Sequence, residues 1–229
     1  MKLEFKYKHT GELPMSTFLE FRDITSDESI PDFKKELAAL AIMCDVPEDD
    51  IYKLTPQEAQ IYIAKMHQNI SKFNLSNSDN ILSCDRKIIS KRPKKLKLNG
   101  HEYKVDYKLS KMNMAQYVDF QMTVANVKDH MDSLVDLLSI FVIPNGKKYG
   151  ENYDINEVKK DLNSLQVDVA LAITFFLRTR SENLIRNKLF YTRMMMKMMK
   201  WTIKDKEVKK QMEETMETLK EMEKTYKKK

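Results

Sequence analysis

Glycine is scarce: the chain has 4 in 229 residues, beside 6 prolines, 2 cysteines and 1 tryptophan. Gly11, Gly100, Gly146 and Gly150 all fall in stretches that read as turns. So few tight corners favour long helices over the many turns of a sandwich or barrel. Cys44 and Cys84 have no CxxC partner and no clustered histidines, so neither a zinc site nor a disulfide framework is expected, and a reducing compartment is the default. No run approaches the roughly 18 uninterrupted apolar residues of a membrane span. Met1-Lys2-Leu3-Glu4-Phe5-Lys6 also lacks the apolar core of a signal peptide, so a soluble chain kept in a cytoplasm is expected.

Signatures of catalysis are missing as well. There is no P-loop, no GxGxxG and no nucleophile with a base at useful spacing. Gly146-Lys147-Lys148-Tyr149-Gly150 lacks the Walker spacing and the Ser or Thr after lysine. His9, His67, His101 and His130 are scattered, and His130 sits beside Asp129 and Asp132 at helical positions that do not face one another. The expectation is therefore no enzyme, no cofactor and no metal. Charge is mixed, 40 basic against 34 acidic residues, so the net +6 says little about an acidic partner.

What is present is apolar periodicity. The length suffices for a real core in one or two domains. Leu3, Phe5 and Tyr7 alternate with charged residues as in a half-buried strand, and Thr10-Gly11-Glu12 turns it. Pro14 opens a helix with Phe18, Leu19 and Phe21 or, as the alternative, a second strand runs through Phe18 to Ile24. Ser29-Ile30-Pro31 starts a helix through Phe33, Leu37, Leu40 and Ala41 that ends at Asp45-Val46-Pro47. Glu48 to Leu54 is a short acidic turn or helix. Thr55 and Glu58 form a capping box around Pro56, and the helix behind it should run to about Lys72 with Ile61, Ala64 and Ile70 inward. Phe73 to Ser90 reads as a loop. Leu96 to Val105 is a hairpin, since Asn99-Gly100 suits the two positive-φ positions of a type I′ turn.

From Asn113 to Trp201 two long apolar arms are expected to pack as an antiparallel helical unit. The first opens with Asn113 and Gln116 in capping-box spacing and a Met112–Tyr117 staple. It runs through Tyr117, Val118, Val124, Leu134, Leu137, Leu138 and Phe141 to Pro144. A second capping box at Asp154 and Glu157 starts a short helix, and from Val167 the apolar residues Ala170, Ile173, Phe176 and Leu177 recur at helical spacing. Thr179-Arg180-Ser181-Glu182 is a cap or break before Leu184, Ile185, Leu189 and Phe190. The fold class is thus mainly α, α+β with a small β-hairpin: a helical core and an extended carboxy-terminal helix. The parts are 1–90 (an α+β or helical half), 91–204 (hairpin and two-arm core) and 205–229 (a charged amphipathic helix).

Two surfaces are candidates for partner binding. Met194, Met195, Met198, Met199 and Trp201 form an unusual cluster whose flexible thioethers can re-pack around a partner, though such residues also simply fill the core around a buried helix. Val208, Met212, Thr215, Leu219, Met222 and Tyr226 step by four and three as a heptad seam, weak without a partner surface. The basic run Arg86, Lys87, Lys91, Arg92, Lys94, Lys95 and Lys97 could track phosphates of nucleic acid. It has no interleaved aromatic for base stacking, and lysines guarding a sheet edge account for it as well.

The order of short motifs carries a resemblance. Leu98-Asn99-Gly100-His101-Glu102-Tyr103-Lys104-Val105, Met114-Ala115-Gln116-Tyr117-Val118-Asp119-Phe120, Phe141-Val142-Ile143-Pro144-Asn145-Gly146-Lys147-Lys148-Tyr149 and Thr174-Phe175-Phe176-Leu177 follow in turn. With Thr10-Gly11-Glu12-Leu13-Pro14, Leu40 to Ile51 and Leu54-Thr55-Pro56-Gln57-Glu58, the chain from residue 3 to 200 resembles tail-assembly-chaperone-like and virion-associated proteins of phages of Bacteroides-type hosts, including crAss-like phages. That resemblance implies non-enzymatic work in particle assembly, in the virion or the host cytoplasm or both. Its partners would be tail, portal or ring proteins or copies of the chain itself, and it brings no catalytic residues.

Overall fold

A computed structural model of the chain describes residues 2–71, 92–126, 133–199 and 206–227. The fold is mainly helical with one small antiparallel sheet. The segment 73–90, expected as a loop, lies outside the described residues.

The amino-terminal stretch keeps its alternation without becoming a strand. Leu3 is buried and Phe5 and Tyr7 are half-buried, yet no neighbour strand pairs with them among the described residues. The backbone is instead held singly, by Leu3 N–H donating to Tyr62 Oη (3.1 Å) and Tyr7 N–H to the Met43 carbonyl (3.2 Å). Period-two burial needs only one apolar surface beneath an extended chain, and helices supply it here. A 3-10 turn at Thr10–Glu12 leads to α1 (Met15–Ser26), which settles the choice at Phe18 in favour of helix: Phe18 and Phe21, three apart, are both buried.

α2 (Asp32–Cys44) follows Pro31 and buries Leu37, Leu40 and Ala41, while Phe33 at its start is exposed. It stops at Asp45, whose φ of 55° places it in the left-handed region. There the Asp45 and Val46 N–H groups close onto the Ile42 and Ala41 carbonyls. α3 (Glu48–Ile51) is one acidic turn. α4 (Pro56–Ile70) begins with the full capping box: Thr55 Oγ1 accepts the Glu58 N–H, and Glu58 accepts the Thr55 N–H. Its inward face is Ala59, Ile63 and Met66, not Ile61 and Ala64, which are exposed. Ile61 lies about 200° around the helix from Ile63, so choosing one phase expels the other.

β1 (Lys95–Leu98) and β2 (His101–Val105) form the expected hairpin, with Asn99 at φ 48° and Gly100 at φ 87°. A third strand, β3 (Val142–Pro144), pairs antiparallel with β2 in the order β1-β2-β3. Three residues are too short to show a period, and Pro144 is tolerated because β3 is an edge.

The first arm is not one helix. α5 (Met114–Asn126) and α6 (Leu134–Phe141) are separate and packed on each other. Phe120 meets Phe141 edge-on at 5.7 Å, and buried Gln116 donates Nε2 to the Ile140 carbonyl (2.9 Å). Asn113 does cap α5, accepting the Gln116 N–H at 2.8 Å, but the Gln116 amide serves α6 instead of returning to Asn113, and Tyr117 is exposed. α7 (Ile155–Leu162) is capped by Asp154 Oδ1, which accepts the Asn156 N–H, and packs on α6. α8 (Val167–Met199) runs unbroken through Thr179 to Glu182, where a cap or break was an option; nothing in that stretch blocks the ladder as proline would. The seam 13–15 and 165–167 is zipped by Val167 N–H to the Leu13 carbonyl and Met15 N–H to the Leu165 carbonyl. α9 (Lys206–Lys227) closes the chain.

Contacts divide the chain into two units, Met1–Asp106 with Met112–Phe175, and Tyr107–Lys111 with Phe176–Lys229. The first unit carries the core: Leu13, Met15, Leu40, Met43, Leu138, Phe141, Leu162 and Ile173 are all buried. Much of the apolar ridge beyond Asn113 is thus sealed in its own core. The second unit contains the later part of α8 and all of α9, with Tyr107 set edge-on against Phe176 at 6.3 Å.

Candidate interaction surfaces

Chemistry-bearing groups do not converge in the described residues. No set of three or more His, Cys, Asp or Glu side chains is placed to hold a metal ion there, and no helix is long and apolar enough to cross a membrane. The densest polar cluster is built around Asp161 of α7. Asn99 Nδ2 donates to its Oδ1 at 2.9 Å, Tyr103 Oη donates to its Oδ2 at 2.5 Å, and His101 Nδ1 stands 2.7 Å from Oδ2. Burial alone would raise the carboxyl's pKa, but the bonds from Tyr103, Asn99 and His101 outweigh it and hold the group below its ordinary value. An ionised carboxylate only accepts, so His101 carries its proton on Nδ1. Burial and the Asp161 bond push the Tyr103 hydroxyl well above the usual tyrosine range. The cluster ties the turn end of the hairpin to α7, with His101 at its exposed edge.

α5 carries an exposed apolar stripe. Met114 is 75% exposed and Met122 58%, with Tyr117 and Val118 exposed between them. At about 100° per residue these four fall within an arc of about 140°, opposite Gln116, Phe120 and Thr123. The sequence puts Tyr117 and Val118 on an apolar arm, with Met112 and Tyr117 as a staple, and does not single out Met114 and Met122. The 114, 117/118, 122 spacing was legible, but spacing does not say whether a stripe faces the core or solvent. Beside this face lies a cleft of about 430 Å³ lined by Asp119, Met122, Ser139, Tyr149, Asp136 and Lys159. Tyr149 Oη donates to Asp119 Oδ2 (2.7 Å) and Lys159 pairs with Asp136 (2.8 Å), so its polar walls are already internally satisfied.

In the second unit, α8 and α9 line a groove of about 840 Å³. Met194 and Met195 are exposed, and Met194 lines the groove. Met198 and Met199 end α8 with side chains outside the described set, and Trp201 lies outside the described residues. On α9, Met212 and Leu219 are half-buried and Val208 and Met222 exposed, while the side chain of Tyr226 is not among those described. The inward residue between Met212 and Leu219 is Met216, not Thr215, which is exposed and bonds back to the Gln211 carbonyl. A strict four-three count missed Met216, since an isolated helix can equally step by four and then three from Met212.

Of the basic run, Arg86, Lys87 and Lys91 lie outside the described residues, Arg92 is half-buried, and Lys94, Lys95 and Lys97 are exposed. β1 is an edge strand, the position where lysines discourage sheet extension. Lys95 stands opposite Lys104 and Lys97 opposite Glu102, so one hairpin face holds three lysines and one glutamate. Comparison with known proteins finds no matching family model, no matching curated protein and no matching solved structure.

Proposed function

We propose that this chain is a bacteriophage morphogenesis protein that acts by binding other polypeptides, either as a structural or cargo component of the virion or as a tail-assembly chaperone, and transforms no substrate. The observation that carries the binding role is the solvent-facing stripe Met114, Tyr117, Val118 and Met122. A stripe of this kind on an otherwise amphipathic helix is the usual form of a helix-in-groove contact. Fully burying a wholly exposed apolar side chain contributes about 1.5–3 kcal/mol; these four are only 44–75% exposed, so together they supply roughly 3–7, against an association cost of about 4–15. The stripe alone therefore makes a weak contact. Its partners are tail, portal or ring proteins or further copies of the chain, in the virion, the host cytoplasm or both; the phage setting itself rests on the sequence resemblance.

Mass spectrometry of purified particles of the encoding phage tests this. Finding the chain in the intact particle supports a component or cargo; finding it only with tail proteins in infected cells supports a chaperone. Finding it in neither sinks the reading. The second reading, nucleic-acid binding, draws on the lysines Lys95, Lys97 and Lys104 of the hairpin face. It requires affinity that falls steeply with salt on a log-log plot, whereas burial of the α5 stripe is nearly indifferent to salt.

A further inference from the structure

The outer edge of the small sheet is open. β1 is terminal in the order β1-β2-β3, and no strand lies beyond it among the described residues. Leu98 and His101 flank the two-residue turn, and Val105 N–H donates to the Lys94 carbonyl (3.0 Å), so the hydrogen-bonded pairs of the hairpin are 94 with 105, 96 with 103 and 98 with 101. The N–H and C=O groups of Lys95 and Lys97 therefore point away from β2, where no protein group meets them among the described residues. Both side chains are exposed, and neither takes part in an ion pair or side-chain hydrogen bond there. Glu102, the acid on their face of the hairpin, accepts from Asn145 Nδ2 at 3.2 Å. The opposite face of β1 is apolar, with Leu98 buried and Leu96 half-buried.

We propose that this edge takes an extended segment of a partner protein as a fourth strand, one with acidic residues at alternate positions and an apolar residue between them. An antiparallel strand set against the edge exchanges both N–H···O bonds with Lys95 and again with Lys97. Residues directly opposite share a face, so the two partner residues that make those bonds lie beside the two ammonium groups, and the one between them lies beside Leu96. Acid, apolar, acid is the pattern this imposes. Charge decides against a second copy, since a twofold axis at this edge would set Lys95 beside Lys97 of the mate. Lysines on an edge reject their own kind, and by the same charge they admit an acidic strand. A nucleic acid would use the ammonium groups but turn its phosphates toward the Lys95 and Lys97 carbonyls, and Tyr103 is buried on the opposite face, out of reach of bases. The assignment presumes that the chain binds other polypeptides, and it uses a surface separate from the α5 stripe.

Fluorescence anisotropy with the full chain is the test, and the probe is a short labelled peptide of alternating glutamate and valine. It should bind at least about 10-fold tighter than a peptide of alternating lysine and valine. N-methylation of the glutamate amides, which face the edge, should abolish binding with no change of charge, while methylation of the valine amides, which point outward, should be tolerated. Lys95→Glu with Lys97→Glu should reverse the preference between the two peptides. Lys97→Pro removes an outward N–H and should weaken binding beyond Lys97→Gln, which removes the charge alone. Circular dichroism checks that each variant is folded, and the peptide series on the unaltered chain needs no variant. No binding of the glutamate peptide up to about 1 mM overturns the proposal. So do variants that bind like the unaltered chain. Equal binding of the methylated and unmethylated glutamate peptides overturns it too, and joined to tight binding of a thymidine oligonucleotide it shows a polyanion surface in place of a strand edge. A chain that ignores these peptides yet is found in the particle leaves the morphogenesis reading standing.

Discussion

Replacing Tyr103 by phenylalanine removes one hydroxyl and almost no volume, and so isolates the bond it donates to Asp161 at 2.5 Å. Hydrogen bonds to an ionised group contribute about 1.5–3 kcal/mol. Asp161 keeps its contacts with Asn99 and His101 in the variant, so the loss should be near 2 kcal/mol at pH 7. For a chain of this size that is a fall in Tm of roughly 4–8 °C. His101→Ala should cost less than about 1 kcal/mol, because its side chain is 67% exposed and water competes for the same carboxylate. The pH dependence follows from the direction of the Asp161 shift. Its folded pKa lies below the ordinary 3.8, so its contribution is complete above that value and is lost as pH falls through the folded value. At the alkaline end the sign reverses for Tyr103. Its folded pKa is raised, so stability is complete below the ordinary 10.0 and declines as pH climbs past it, when only the unfolded phenol ionises. Urea titrations of the unaltered chain and the variant at pH 7, and then over a falling pH series, measure the loss and its acid limb. A difference within about 0.5 kcal/mol at pH 7 would refute the latch.

Three smaller tests follow. Thr55→Ala removes the acceptor for the Glu58 N–H and should lower stability by about 1 kcal/mol with unchanged m-value in urea. Gly100→Ala meets no atom within 4 Å of the added methyl, so its cost is conformational alone, about 1 kcal/mol from φ 87°; Asn99→Gly relieves φ 48° but removes the bond to Asp161 and should cost about 1.5–3 kcal/mol by the same measurement. Burial pushes the Cys44 thiol up to about 11, so alkylation at pH 8 should proceed only at the rate at which the fold opens and should accelerate in parallel with unfolding as urea is added.

Local chemistry was legible wherever one residue type decided a backbone state. Thr55, Pro56 and Glu58 announced α4, Asn99-Gly100 announced the hairpin, and Asp154 announced α7. What the sequence hid were choices made by distant partners. β3 exists because Val142 and Ile143 find β2, and Leu3 to Tyr7 join no sheet among the described residues, their backbone being held by Tyr62 and Met43 of helices instead. The phase of α4 was misread because Ile61 and Ile63 are equally apolar, and only packing tells them apart. Asp161 could have been suspected from nothing local: its donors stand about 60 residues upstream.

The hairpin's dependence on residues far downstream bears on how the chain is made. At a synthesis rate of about 5–20 residues per second, strand β2 leaves the ribosome roughly 2–7 s before β3 exists and still longer before Asp161 follows. A lone two-stranded ribbon is marginal in water, so for that interval the nascent hairpin flickers. Translation halted before residue 161 should release a product that proteases cut within 95–105, and a ribosome pausing there would lengthen that exposure.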